Sequence, residues 1–213
     1  MKKYKYISSG FHERKNQVAV ILLALLHFTA SGSFSQSQLL TYKVIRNGAE
    51  AGWVKLNRNT NGSTSVISMA SEIKVKIIFP VTVTSNEYAE SGNGKLIHSY
   101  VFRKINNNIK VDKHTRLKEN IYESENFSRK EKLRLIPVCF NVLDLYFREP
   151  SDFKEAYSSS YQTNLQIENK QPHIYRLILP DGSINEYHYN KNGNCIKVRV
   201  NQNLYSADFI LLH

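Results

Sequence analysis

The chain has 213 residues, with 29 Lys and Arg against 18 Asp and Glu and a formal net charge of +11. Charged residues at 22% and aromatics at 11% exclude a disordered tail protein, and nine Gly with five Pro exclude collagen-like or Pro-rich linker architectures. Two Cys are too few for a disulfide-stapled miniprotein or a four-Cys zinc module, which leaves a globular protein with a sizeable core.

Residues 1–17 carry Lys2, Lys3, Lys5, Arg14 and Lys15 against one acid, Glu13. An apolar run from Val18 to Ala30 follows, and then Ser31-Gly32-Ser33-Phe34-Ser35 offers small residues at the −3 and −1 positions for a cut after Ser35. A basic start, a short apolar run and a small-x-small site predict an export signal over 1–35, removed from a single domain over 36–213. As a helix the apolar run rises only about 20 Å, short of the roughly 30 Å hydrocarbon core, so a retained anchor is the weaker reading. The mature chain is expected free in the periplasm, without a transmembrane anchor. The first cysteine is Cys139, too far along for lipid attachment just after the apolar run.

Removing those five basic residues and one acid lowers the net charge from +11 to +7. The remaining cations are scattered rather than clustered and no RNA-binding signature occurs, so nucleic acid is not expected as a partner. A mildly cationic surface fits anionic envelope polymers or lipid headgroups, and equally fits simple solubility.

Strand-type segments then dominate. Leu39–Arg46, Ala49–Arg58 and Thr64–Phe79 come first, followed by Val81–Glu90, Lys95–Ile105, Ile109–Lys118 and Ile121–Phe127. Near the end lie His173–Leu179, Ser183–Asn190, Cys195–Val200 and Leu204–Leu211. Asn47-Gly48, Asn61-Gly62, Asn93-Gly94, Asp181-Gly182 and Asn192-Gly193 punctuate the runs, and such dipeptides tolerate the positive φ of tight hairpin turns. The pattern specifies an antiparallel meander. Ile73, Val75 and Ile77 alternate with Lys74 and Lys76, Tyr175, Leu177 and Leu179 form a second such set, and Tyr42, Val44 and Trp53 are expected on one core face. A sheet of about ten strands has to curl or close.

Pro137–Pro150 breaks the pattern. Asn141, Asp144 and Arg148 make a narrow polar stripe among Phe140, Val142, Leu143, Leu145, Tyr146 and Phe147. Pro137 suits a first helical turn and Pro150 stops one, so the segment reads as a short helix buried in the concave side of the sheet, or as a short apolar strand. The expected fold is therefore mainly β: a strongly curved antiparallel sheet, a half-barrel or open barrel, around one apolar helix.

Catalytic signatures are missing. No G-x-S-x-G, S-x-x-K, H-E-x-x-H, C-x-x-C, EF-hand loop or Gly-rich phosphate loop occurs, and no cofactor or metal is expected. His98, His114, His173, His188 and His213 are isolated in sequence. His188 lies between Tyr187 and Tyr189, with Glu186 and Asn190 on its own strand face, and Glu123 and Glu125 share another face. The Glu beside the His could do acid–base work, and the two acids could share a proton or bind a cation; solvated outer faces are the simpler reading. Cys139 and Cys195 could bridge in an oxidising compartment or stay as thiols. Trp53, Tyr146 and Phe147 are the candidate ligand-binding residues, since an incompletely filled interior would let their rings line a cavity.

Four motifs carry a family resemblance. They are Tyr42-x-Val44-x-Arg46-Asn47-Gly48-x-x-x-Gly52, Leu145-Tyr146-Phe147-x-Glu149-Pro150, Tyr175-x-Leu177-x-Leu179-Pro180-Asp181-Gly182, and Asn185-x-Tyr187-x-Tyr189 with Gly193 beyond. Together they resemble an uncharacterised family of exported Gram-negative bacterial proteins over most of residues 39–212. The first motif also resembles a larger group of periplasmic domains similar to lipoprotein-carrier half-barrels. That likeness implies a curved sheet around a helix and an apolar cavity, and it transfers no functional residue. Three functions are expected in order: an envelope protein that binds or carries a hydrophobic or amphiphilic, lipid-like ligand; an assembly component recognising another envelope protein; and a hydrolase using dispersed carboxylates with His188 or His98.

Overall fold

The computed structural model describes residues 35–76, 79–133, 137–202 and 205–212. The segment read as an export signal lies, except for Ser35, outside the described residues. Fourteen strands form one antiparallel sheet. In chain order they are β1 Gln36–Arg46, β2 Ala49–Asn61, β3 Thr64–Lys76, β4 Pro80–Gly92, β5 Lys95–Ile105, β6 Asn108–Lys118, β7 Ile121–Asn126, β8 Arg129–Leu133, β9 Glu155–Ser158, β10 Thr163–Gln171, β11 Ile174–Ile178, β12 Ile184–Tyr189, β13 Cys195–Gln202 and β14 Tyr205–Leu211. The spatial order runs from β8 back to β1, then from β14 back to β9. Every neighbour is thus a hairpin partner except β1 and β14, which join two arms, and the sheet is open rather than closed.

The turns follow their sequences. Asn47 and Gly48 have φ of 51° and 79°, and Asn93 and Gly94 have 50° and 72°, the positive pairs that match the twist of paired strands. The meander was legible; the count of about ten strands was not. The additional strands are β8, β9 and β10. β8 reads Arg-Lys-Glu-Lys-Leu and has four exposed residues, so it offers no apolar alternation. β9 is only four residues long.

The expected helix over 137–150 is corrected to a five-residue 3-10 turn, Val142–Tyr146. Its approach is extended because neighbouring backbone claims it: Leu96 N–H donates to the Val138 carbonyl at 2.8 Å and Tyr157 N–H to the Phe140 carbonyl at 2.9 Å. Asn141 then caps the turn, its Oδ1 accepting from Leu143 N–H at 2.8 Å. The predicted burial does occur. Val138, Phe140, Leu143, Leu145 and Tyr146 are all buried, and the segment plugs part of the interior.

The two arms turn different inner faces to that interior. From β1–β3 and β10–β14 come Tyr42, Val44, Val54, Leu56, Ile67, Leu165, Leu177, Val198 and Phe209. On β4–β7 the buried or half-buried inward residues include Ser85, Glu87, Ser99, Arg103, Lys113, Thr115 and Ser124. Of the aromatic residues of this arm, Tyr122 is inward and buried, while Tyr88, Tyr100 and Phe102 occupy the opposite face together with His98 and His114. The sheet rolls far enough for β9 and its turn to rest on this polar wall. Thr115 Oγ1 and the Tyr157 hydroxyl share a hydrogen bond of 2.7 Å, and Lys113 Nζ donates to the Ser160 carbonyl at 2.7 Å.

Candidate functional site

Rolling the apolar arm over the polar one leaves a cavity of about 370 Å³. Ile73, Val83 and Ile105 line one wall, and Leu177, Leu179, Val200 and Phe209 the facing one. The plug contributes Val142, Leu143 and Tyr146. Ser71, Ser85, Glu87, Arg103, Ser158, Ser160 and Asn185 supply polar groups. Apolar walls with a few converging polar side chains are the usual make-up of a small-molecule site.

Arg103 organises the polar end. Its Nη2 donates to Glu87 Oε1 at 3.1 Å and to Ser160 Oγ at 3.3 Å, while Nε donates to Ser85 Oγ at 3.4 Å. The Glu87 side chain is 13% exposed. Burial raises its carboxyl above the ordinary carboxylate value, outweighing the lowering by Arg103. Tyr146 and Tyr187 face the same carboxylate, and burial pushes both phenols up, so they stay neutral. A raised folded-state value means that the folded protein holds this proton to higher pH than the unfolded chain does. The stabilisation from neutral Glu87 is therefore complete below the ordinary value near 4.5 and is lost as pH rises through the raised one. Urea titrations of wild type and Glu87→Gln across that window should show the variant gaining on wild type as pH rises. The opposite trend, wild type gaining on the variant as pH rises, would mean that Arg103, not burial, controls the group.

The residues of the four sequence motifs converge behind the cavity. Tyr146 packs edge-on against Tyr42 at 5.5 Å and Tyr187 at 5.8 Å, and Tyr175 against Tyr189 at 5.8 Å. The Tyr189 hydroxyl donates to the Leu145 carbonyl at 2.7 Å, and that of Tyr42 to the Cys195 carbonyl at 2.8 Å. Glu149 meets His173 Nδ1 at 3.0 Å. These motifs clamp the plug in place. That is a structural task, and it fixes the cavity's floor.

Of the three expected ligand-binding residues, Tyr146 lines the cavity. Phe147 does not; it is half-buried beneath the Arg58 guanidinium, 5.3 Å from the ring centre. Trp53 is corrected to the outer face, 36% exposed, with Lys55 Nζ 5.2 Å from its ring centre. A bulge explains the difference. Val44 pairs with Gly52 but Ile45 pairs with Glu50, so Ala51 is an extra residue and the in–out phase of β2 shifts by one.

The other candidates lie elsewhere. His188 Nε2 meets Glu186 Oε1 at 2.9 Å on the face opposite Tyr187 and Tyr189, and Lys170 Nζ holds the other Glu186 oxygen at 2.8 Å. Glu123 pairs with Lys118 at 2.7 Å and Glu125 with Arg116 at 3.8 Å, so each acid has its own cation rather than the other acid as its partner. His98 and His114, far apart in sequence, stack across β5 and β6 at 5.8 Å with parallel rings. Cys139 is an exposed thiol, and Cys195 a buried one pushed up to about 12 by desolvation. No three metal-ligating side chains cluster among the described residues, and no helix among them is long and apolar enough to cross a membrane.

Sequence reasoning missed Ser85, Glu87, Arg103 and Lys113. Their signal was period-2 spacing within strands already identified, but polar residues at that spacing read as an outer face. Comparison with solved structures finds a similar architecture in the crystal structure of a beta-barrel-like protein of domain of unknown function DUF1849 from Brucella abortus. The TM-score is 0.54 at 9% identity, over 85% of this chain and 98% of that one. That likeness concerns the fold alone. No curated protein matches. The family model described as domain of unknown function DUF6134 matches residues 42–212, which takes in all four motifs and every strand from β2 to β14, and the chain belongs to that family.

Proposed function

We propose that this protein is exported to the cell envelope and there holds a hydrophobic or amphiphilic, lipid-like small molecule in the interior cavity, without chemistry on it. One observation carries the reading: the plug fills only part of the rolled sheet and leaves about 370 Å³ between apolar walls, with Glu87 and Arg103 at one end. The barrel-like architecture supports it, since barrel mouths and rolled sheets are common ligand sites. The basic start and apolar run of residues 1–35 support export.

A partner protein is the second reading. The outer edge of β8 has no strand beside it among the described residues, where an added strand could pair. Arg129, Lys130 and Lys132 are exposed there, however, and such charges keep edges from pairing. The cavity is the stronger feature.

Native mass spectrometry of protein purified from its own envelope, with displacement of a fluorescent lipid, tests the proposal. Val83→Phe puts a ring into the cavity and should weaken displacement at least tenfold while the urea midpoint holds. No co-purified ligand, together with no displacement by any lipid class, would end the reading.

A further inference from the structure

Arg103 and Lys113 approach one another at the polar end, and both bond to Ser160. Against these two cations stands one carboxylate, Glu87. Arg103 engages Nε and Nη2, while its Nη1 has no hydrogen-bond partner among the described residues and its side chain is 33% exposed. Across the cavity, the buried Oδ1 of Asn185 is also without a partner. A cluster with one uncompensated positive charge and a free guanidinium edge, set against apolar walls, is built for a singly charged anion with a tail.

We propose that this cluster binds the carboxylate of a single-chain amphiphile, a long-chain fatty acid, with Arg103 Nη1 as the donor and the tail along Ile73, Val83, Leu177 and Phe209. The assignment rests on the cavity being a ligand site, and it narrows that reading to one head and one chain. A monoanion brings the cluster to neutrality, whereas a phosphate dianion would overshoot it. The cavity lies at the low end of the roughly 300–1,000 Å³ typical of small-molecule sites, which fits one acyl chain better than two. Because Glu87 competes with the ligand for Arg103, removing its charge strengthens binding.

Competition against the neutral dye N-phenyl-1-naphthylamine at pH 8 separates head from tail. Dodecanoate, dodecanol and dodecyltrimethylammonium carry the same tail, and each is used below its micelle concentration. Dodecanoate should displace the dye at concentrations at least tenfold lower than dodecanol, with the cationic probe weakest. Arg103→Met should bring acid and alcohol level. Glu87→Gln, which keeps the side chain's shape, should tighten dodecanoate several-fold and leave dodecanol unchanged, so the test stands even if Arg103→Met fails to fold. Equal displacement by acid and alcohol in wild type, or no gain for the acid in Glu87→Gln, overturns the headgroup assignment and leaves the cavity intact. Failure of the dye and of all three probes to bind overturns the cavity reading itself.

Discussion

Replacing Gly52 by Ala is expected to cost about 3–5 kcal/mol, which places it among the most damaging single-methyl additions a strand can suffer. Gly52 has φ of +153°, and a Cβ built there would lie 2.0 Å from the Glu72 carbonyl oxygen and 2.8 Å from the Ile73 Cα. Both atoms belong to the backbone of β3, which pairs with β2 from Gly52↔Ile73 through Asn61↔Thr64. No side chain can swing aside to relieve the overlap. The ladder has to part locally, or the bulge has to slip and turn Val54 and Leu56 out of the core. For a domain of this size the loss corresponds to a fall in Tm of roughly 10 °C or more. Gly48→Ala is the control: its φ is +79°, but a Cβ there meets nothing within 4 Å, so it should cost only ~1 kcal/mol. Urea titration of the two variants decides the matter. A Gly52→Ala protein within 1 kcal/mol of wild type would mean that β2 and β3 are not in this register.

The same glycine shows how far the sequence could be read. Tyr42 and Val44 were expected to face the core and are 0% exposed. Trp53 was expected beside them, and counting residues across the turn is sound only while each residue has one partner. A bulge spends one residue without a partner, and nothing in Ala49–Trp53 announces it except Gly52 itself. On β11 no bulge intervenes within Tyr175–Leu177, and the expected set of Tyr175, Leu177 and Leu179 is buried as read. The hairpins were legible because Asn-Gly turns act locally. The strands that escaped notice carry too little local signal: β8 has four exposed residues and no apolar alternation, and β9 has only four residues, held by β10 and by the returning plug.

The polar wall was illegible for a different reason. In the middle of β4 and β5 the binary pattern is locally inverted, with Tyr88, Tyr100 and Phe102 outside and Ser85, Glu87 and Arg103 inside beside the buried Ala89 and Val101. Period-2 patterning gives two faces but not which one is covered, and hydrophobicity normally breaks the tie. Here it breaks it wrongly, because the inward residues satisfy one another: Arg103 holds Glu87, Ser85 and Ser160 at once. Such a network is tolerable only if its donors and acceptors are nearly all paired; Ser99 Oγ is left over within the wall, while Arg103, with Nη1 free, and Asn185, with Oδ1 free, border the cavity. Departures from simple core rules tend to collect at functional sites, which supports the cavity as the candidate site.

Asp144→Ala should release the plug, at a cost of about 3 kcal/mol. The carboxylate serves two elements at once: Oδ1 accepts from Arg58 Nη2 at 3.0 Å, and Oδ2 accepts from the Asn141 backbone N–H at 3.0 Å. The two side chains are 12% and 20% exposed, so the pair is only partly screened by solvent. Losing the cap alone costs ~1 kcal/mol; the larger part comes from leaving the Arg58 guanidinium half-buried over Phe147 without its counter-charge. Burial raises the Asp144 carboxyl above its ordinary value; Asp144→Asn keeps an acceptor and the shape but not the charge, so it should recover the share of the cap and leave the share of Arg58 lost. A double-mutant cycle with Arg58→Met should return a coupling of about 1.5 kcal/mol or more, whereas independent sites would add within about 0.5 kcal/mol. The cavity gives this prediction a second readout. Val142, Leu143 and Tyr146 form its floor, so a loosened plug should lose amide protection over 142–147 and bind the dye more weakly, while the β2–β3 ladder stays protected. Uniform loss of protection across the sheet would instead make the plug an ordinary part of one cooperative core, and the cavity floor could not then open on its own.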